Sequence, residues 1–526
     1  PGVNVTIQGT VIGAITGLDG GYSLNVPGTG AVLVFSSIGY VTQQISVGTQ
    51  SVVDVVLVSD VTALSEVVVT GYSSQRRRDL TGSVGVVEPA KLTAVPTGNV
   101  SNSLQGRTSG VTVIGDGRPG ETSKVRIRGF SSFSNNDPLY IVDGVPTQDI
   151  SSLNPNDIAS ISVLKDAGAA SIYGSRASNG VIIVSTKKGS KGTQVNYSMY
   201  YGTQDPGKGP DNLLDTQGYA DLQWLVYAND GTVETHPIYG PSSAASPSLP
   251  SWAGNTDWYD AITEPAITQN HDLSLSGGTD NAKFFAAIGV LKQDGIVIYT
   301  DANKYTTRFN SEFNFLDGKV KVGENLSLAY RTGHGVANLN EGSPIQMGVY
   351  RTQPIIPVIM DVAVPGGLAH NYLVGEWGGT GIASRLGNGS NEVATLTRNK
   401  DNNNWSMRLV GSAFLDVKIM QGLNFKSTLG GTFNNGYWMS YSYKTYESSE
   451  NNATNSFSEG AWYGSDWILT NQVTLDKTFG QHKILAVAGY EAGQYGIGRS
   501  VSGNRAGYFS DDVLYRTLNN GANLIN

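Results

Sequence analysis

Along most of this chain hydrophobic and polar residues alternate one by one. A period of two is the signature of strands with one apolar face. The clearest case is Tyr305–Phe315: Tyr305, Thr307, Phe309, Ser311, Phe313 and Phe315 fall on one face, and Thr306, Arg308, Asn310, Glu312 and Asn314 on the other. Eleven residues at about 3.3 Å each, tilted near 45°, span roughly 25 Å, the height of the apolar band of an outer-membrane barrel. Leu326, Leu328 and Tyr330, set against Asn325, Ser327 and Arg331, repeat the pattern. Strands are expected near 194–201, 270–277, 282–293, 304–316, 320–332, 403–419, 423–440, 459–478 and 482–499. Tight links at Gly278–Asn281, Asp317–Lys319, Met420–Gly422 and Phe479–Gln481 alternate with longer ones, two of them very long, at 202–269 and 333–402. Membrane barrels are built this way, with short periplasmic turns and long outer loops.

The first 192 residues read differently. Residues 1–60 carry short runs (Val3, Val5 and Ile7, then Ala31–Phe35, Val41–Val47 and Val52–Val58) punctuated by Gly and Pro. They predict an Ig-like β-sandwich of about five strands, trimmed at its start. Residues 61–80 (VTALSEVVVTGYSSQRRRDL) combine one β-prone run, Glu66–Thr70, with a polar, Arg-rich end, and read as an extended, mobile linker. Residues 81–192 are mixed α/β. Strands are expected at Val111–Ile114, Lys124–Arg128, Leu139–Val142, Ile158–Leu164 and Val181–Thr186, with one short helix over Asp166–Tyr173 and a basic hinge at Lys187, Lys188, Gly189 and Lys191. Residues 193–526 read as a partial barrel of nine strands, with a tenth beginning near the end. A 22-stranded plugged transporter would need on the order of 750 barrel residues, so half or more of such a barrel is expected to lie outside this sequence.

Composition sharpens the class. Only 15% of residues are charged, against about 25% on average. Glycine, at 66 of 526, is enriched, and 26 Tyr outnumber 14 Phe, as suits a membrane barrel. The net charge of −8 and the lack of a long basic run argue against nucleic acid. With no Cys, disulfide frameworks, thiolate zinc sites and Cys nucleophiles are excluded. No run is long and apolar enough for a membrane helix, and the start shows neither the basic nor the apolar region of a signal peptide. Enzyme signals are weak. Gly115–Gly120 fits G-x-G-x-x-G, but a strand rather than a helix follows it. Ser162 and Lys165 match S-x-x-K, yet sit on opposite faces of a predicted strand, and the five His are scattered. No catalytic residue, metal site or cofactor is expected.

Several stretches resemble the SusC family of TonB-dependent outer-membrane transporters of Bacteroidetes. PGVNVTIQGT, Asp19–Leu24 and VFSSIGYVTQ are similar to that family's carboxypeptidase-regulatory-like extension. LSEVVVTGYSSQRR (64–77) resembles its TonB box. LQGRTSGVTVI (104–114), KVRIRGFSS (124–132), NNDPLYIVDGVP (135–146) and LNPNDIASISVLKDAGAASIYGSRASNGVIIVSTKKG (153–189) resemble its plug domain nearly throughout. The barrel portion carries only the general pattern. The resemblance implies active import of large nutrients, oligosaccharides or peptides, by a multi-pass barrel in outer-membrane lipid. The extension and TonB box would be periplasmic, energy would come through TonB with ExbB/ExbD, and a SusD-like surface lipoprotein would close over the barrel. A barrel recruited into a secretion, adhesion or assembly complex is the alternative.

The same resemblance points to site residues. Glu66, Val67, Val68, Val69, Thr70, Gly71 and Tyr72 would bind TonB, because a β-prone segment on a tether can add as a strand to a partner's sheet edge. The competing reading makes Val67–Val69 the last strand of the preceding sandwich. Arg126 and Arg128 share one strand face and, with Arg308 and Glu312 on the luminal face of theirs, are candidates for a plug–barrel ionic lock. In the loop 202–269, Trp224, Tyr227, Trp252, Trp258 and Tyr259 are candidates for lid or substrate contacts. Tyr437, Trp438, Tyr441, Tyr443, Tyr446, Trp462, Tyr463 and Trp467 fit an aromatic girdle at the membrane surface. Any that face inward could instead form a platform for sugar rings.

Overall fold

The computed structural model describes residues 2–524 apart from 58–66, 71–72, 77–82, 232–235, 241–248, 336–342 and positions 11, 18, 38, 39, 41, 96, 116, 134, 369 and 481. The chain divides into two compact units, Pro1–Gly82 and Ser83–Asn526.

In the first unit, β1 (Asn4–Ile7), β2 (Gly13–Ile15), β3 (Val32–Ser36) and β4 (Gln43–Ser46) form one antiparallel sheet in the order β2-β1-β3-β4. Val5, Ile7, Leu33 and Phe35 alternate inward, and Tyr22, Leu24, Val53, Val55 and Leu57 pack over them as a second layer. Residues 52–57, expected as a strand, keep the one-in-two burial but lie outside the ladder; the Tyr22 hydroxyl donates to the Val53 carbonyl at 2.9 Å. Farther on, β5 (Val67–Thr70) pairs with β6 (Ser73–Arg76) in a separate two-stranded hairpin.

The plug is built on β7 (Val84–Val87), β8 (Val111–Ile114), β9 (Lys124–Ile127), β10 (Leu139–Val142), β11 (Val145–Thr147), β12 (Ile158–Leu164) and β13 (Val181–Thr186). Five of these form a mixed sheet, β11-β10-β13-β12-β7, with β10 and β13 parallel, while β8 and β9 form a separate ribbon. The apolar runs of β12 and β13 are buried on both faces, as befits central strands. The expected helix begins at α3, Ala167–Ala170 (after α1, Pro89–Leu92, and α2, Val100–Ser103), and continues as a 3-10 turn over Ser171–Ala177.

Ten strands follow: β14 (Gln194–Gln204), β15 (Ala266–Gly278), β16 (Ala282–Asp294), β17 (Asp301–Phe315), β18 (Val320–His334), β19 (Asn404–Met420), β20 (Leu423–Ser442), β21 (Ser456–Phe479), β22 (His482–Ala506) and β23 (Asn523–Leu524). They form a single antiparallel sheet in chain order, the meander that the alternation of short and long links predicts. One face is turned outward: Val195, Tyr197, Met199, Leu273, Ile288, Tyr305, Phe309, Phe313 and Leu326 are all exposed. The other wraps the plug, with Lys304, Thr306, Arg308 and Asn310 buried on β17. No helix among the described residues is long and apolar enough to cross a membrane, which says nothing of strands.

The long loops fold together. Around α4 (Thr216–Asn229), α5 (Trp258–Ile262) and α6 (Glu392–Asn399), side chains from both loops, including Tyr239, Trp252, Trp258, Ile355, Ile356 and Leu386, bury one another in a common core. Glu392 opens α6 and lies buried, and burial pushes its carboxyl from 4.5 up to about 7. A carboxyl raised in the folded state stabilises it fully below 4.5 and loses that contribution as pH rises through about 7. Backbone amides in Ile355–Leu386 should therefore lose hydrogen-exchange protection between pH 5 and 8, by about 2–3 kcal/mol, and Glu392→Gln should remove the dependence. Equal protection at both pH values, after correction for intrinsic exchange, would refute this.

Candidate functional site

The polar seam between plug and wall is the first part of the site. Asp143 and Gly144 join β10 to β11 with φ of 48° and 90°. Two positive φ values define the type I′ hairpin turn that Asp-Gly favours. The turn carries the Asp143 carboxylate to the wall, where the Arg308 guanidinium of β17 donates to it at 2.6 Å, with both side chains buried. The Thr186 amide and hydroxyl also donate to Asp143, at 3.0 and 2.7 Å. One turn of the plug is thus fixed by a charge pair and two further hydrogen bonds.

Other contacts extend the seam. Arg408 of β19 pairs with Asp149 and also donates to the Thr147 hydroxyl. Burial works against the Asp149 carboxylate, yet Arg408 and hydrogen bonds from Ser151 outweigh it and hold its pKa below the usual value. The Lys304 ammonium donates to the Gly98, Ser151 and Leu153 carbonyls. Asp272 of β15 accepts from Asn154 and Asn156. Farther along the same face of the sheet, Arg176 meets Glu491 of β22 at 2.6 Å.

Of the four residues expected in a plug–barrel lock, two make contacts between plug and wall. Arg308 joins plug to wall, and Glu312 does so through Lys188 at 3.6 Å while also pairing with Lys321 at 2.9 Å. Arg126 and Arg128 do not fit the lock: Arg126 pairs with Asp137, and Arg128 with Asp166, both within the plug. The reason is local. The strand ends at Ile127, and Arg128 turns into the left-handed region at φ 56°, so the two side chains do not share a strand face. Asp143, Asp149 and Arg176 went unpredicted, although the Asp-Gly turn in VDGVP was a readable signal for the first.

The loop aromatics also need correction. Trp252 and Trp258 are buried and Trp224 is partly buried in the common core of the loops. The Trp258 indole donates to the Gln353 carbonyl and the Trp224 indole to the Gly240 carbonyl, each at 3.2 Å. The Tyr259 hydroxyl is committed to the Pro206 carbonyl at 2.7 Å. Trp258 thus ties one loop to the other, Trp224 and Tyr259 brace the first loop, and these side chains offer little surface to a ligand.

For the expected TonB box, Val67–Thr70 is a strand, and it belongs to its own hairpin and not to the four-stranded sheet. The hairpin replaces the simple extended linker expected there. Glu66, Gly71 and Tyr72 lie outside the described residues.

The second part of the site is a cavity of about 570 Å³ on the loop side of the plug. It runs between plug residues 97–99 and 117–121 and the wall at Asn303, Lys304, Arg331 and Asn404. Beside it, ladder register sorts the aromatics of β20 and β21. Arg408 faces the plug and is paired with Asn434, so even-numbered positions on β20 face inward. Trp438 and its neighbour Trp462 are therefore on the inner face, and Tyr437, Tyr463 and Trp467 on the outer. Tyr441 is buried with Phe457 and Tyr508 at the loop end.

A plug held inside an antiparallel sheet with an apolar outer face defines a plugged β-barrel of the outer-membrane kind. The TonB-dependent Receptor Plug Domain matches residues 76–181, and the CarboxypepD_reg-like domain matches residues 1–69. The chain is 31% identical to TonB-dependent receptor P3 of Formosa agariphila over 541 residues, covering 99% of this chain and 49% of that one. It is 32% identical to TonB-dependent receptor SusC of Bacteroides thetaiotaomicron over 461 residues, covering 83% of this chain and 43% of that one. The RagAB peptide importer is similar in structure. Its open-open state aligns with a TM-score of 0.66 at 25% identity, over 87% of this chain and 52% of that one; for the closed-closed state the TM-score is 0.67. The sequence is that of a SusC-like TonB-dependent receptor, and the chain spans about half the length of the curated relatives it matches.

Proposed function

We propose that the whole receptor actively imports large nutrients, oligosaccharides or peptides, across the outer membrane. TonB, powered through ExbB/ExbD, would pair with residues 66–72 in the periplasm and pull. The plug would then rearrange or partly leave, opening a path along the wall. The observation that carries this reading is the plug seated on a wall by side-chain contacts that can be broken and remade, headed by Asp143–Arg308. The similar RagAB protein is named a peptide importer, which supports import and leaves the cargo class of this chain open.

A SusD-like surface lipoprotein is the proposed partner on the loop side. Leu222, Leu225 and Val226 of α4 are exposed there, an apolar face suited to a protein lid. The test of import is a deletion of residues 64–72 in the full receptor, produced in cells whose growth on a glycan or peptide digest requires it. Growth should stop while barrel assembly and surface binding continue. Growth that continues with a correctly assembled deletion variant overturns the reading.

A further inference from the structure

Trp438 and Trp462 are placed with unusual regularity. Trp438 on β20 is directly opposite Gly460 on β21, and Trp462 on β21 is directly opposite Gly436 on β20. A β-carbon on Gly436 would lie 2.8–2.9 Å from three atoms of the Trp462 ring, and one on Gly460 would lie 2.7–2.9 Å from three atoms of the Trp438 ring. Each indole therefore lies across the neighbouring strand in space that only glycine leaves. One face rests on the wall and the other is turned to the lumen, and both residues are 39% exposed. Aromatic rings laid over cross-strand glycines are thereby fixed in orientation.

Their surroundings are as specific. Trp438 is opposite Asn404, which lines the cavity over the plug, and it stands four residues beyond Asn434, the partner of Arg408. At about 3.3 Å per residue Trp438 rises roughly 13 Å above the plug contact, and Trp462, opposite Gly436, roughly 7 Å. From Asn434 to Ser440, Ser458 to Gly464, Gly498 to Asn504 and at Asn404 and Ser406, the inward positions are only Asn, Ser, Gly and Trp. Arg331, directly opposite Ser406, lines the adjoining cavity, but the inward side chains of this stretch carry no charge, and the main-chain groups of β20 and β21 are spent in the ladder. The stretch offers a peptide no free strand edge on β20 or β21. It offers two fixed π faces bordered by amides and hydroxyls. A neutral pyranose has the complementary form: an apolar C–H face with a rim of hydroxyl groups.

We propose that Trp438 and Trp462 form a stacking platform for neutral hexopyranose or pentopyranose units of an oligosaccharide on the luminal wall above the plug. The proposal rests on the import reading for its biological sense, but its test reads binding alone. The full receptor in detergent is titrated calorimetrically with maltohexaose, cellohexaose, xylohexaose and mannohexaose, and with hexagalacturonate and a Gly-Ser hexapeptide as contrasts. At least one neutral hexamer should bind, and Trp438→Ala and Trp462→Ala should each weaken it by roughly tenfold or more. Trp438→Tyr should retain most of the affinity. Gly460→Val, which keeps both indoles but tilts Trp438 off the wall, should weaken binding as the alanine variants do. Heat-modifiable mobility on gels confirms that each variant is a folded barrel. The platform is overturned if no neutral hexamer binds, if the tryptophan variants bind like the parent, or if the contrasts bind with the same dependence on tryptophan. Deletion of residues 64–72 separates the two readings: the deleted receptor should still bind the hexamer. Continued uptake in that deletion refutes TonB-driven import and leaves the platform standing. Tryptophan-independent binding refutes the platform and leaves import standing.

Discussion

Replacing Val68 and Val69 together by proline should reduce uptake through the full receptor by roughly tenfold or more, without loss of barrel assembly. Strand addition is made of main-chain hydrogen bonds, and proline has no N–H to give. Neighbouring residues of a strand point their amides to opposite edges. Two adjacent prolines therefore remove a donor from both edges of β5, the one engaged with β6 and the one left open among the described residues. The paired alanine variant keeps both amides and should keep most of the uptake. Uptake equal to the parent in the proline variant, measured with the same labelled cargo, would show that Val67–Thr70 is not the segment that is pulled. Equal loss with alanine would shift the contact from main chain to side chains.

Arg308→Met should loosen the plug. Removing one member of a buried, hydrogen-bonded charge pair costs about 3–5 kcal/mol, because the other charge is left behind in a poor environment. Asp143 would keep its bonds from Thr186 but lose the guanidinium 2.6 Å away. Urea should unfold the plug at lower concentration, and cells should admit vancomycin, which an intact plug excludes. The double variant Arg308→Met, Asp143→Asn removes both charges and should recover much of the loss. Arg126→Gln is the internal contrast. Its Asp137 partner is 47% exposed and both belong to the plug, so the expected cost is about 0–1 kcal/mol and no leak. Vancomycin entry unchanged in the Arg308 variant would mean that the seam is held elsewhere, with Arg408 and Lys304 the next to test.

The strands of the wall were legible because a membrane barrel strand carries its environment on its surface. Phe309 and Phe313 had to face one way and Arg308 and Asn310 the other, and they do. The links told the rest, since Asp317–Lys319 can only be a turn and 333–402 cannot be one. The plug was less complete. β7 and β11 are short edge strands, and VGVV and VPT carry too little pattern to be distinguished from loop. The site was least legible. Whether Arg126 or Asp143 meets the wall depends on where the plug sits in the lumen, and that is set by the sum of many distant contacts. Trp252 and Trp258 looked like surface aromatics because their partners, Ile355 and Leu386 among them, lie about a hundred residues away in another loop. For Trp438 and Trp462 the residues themselves left the direction open; only the ladder register, anchored at Arg408, decides which way they face.

The shared core of the two long loops constrains how such a surface can change over time. Trp258 donates to the carbonyl of Gln353, the Tyr239 hydroxyl donates to the Gln353 side chain at 2.8 Å, and the Thr256 hydroxyl donates to the Ile356 carbonyl at 2.7 Å. Neither loop has a complete interior alone. A receptor that acquired one of them from a relative, under pressure from a phage or an antibody, would receive half of a folded object and expose the other half. The two segments are a single cassette separated by four strands of barrel, and grafts between receptors should take only when both are moved together.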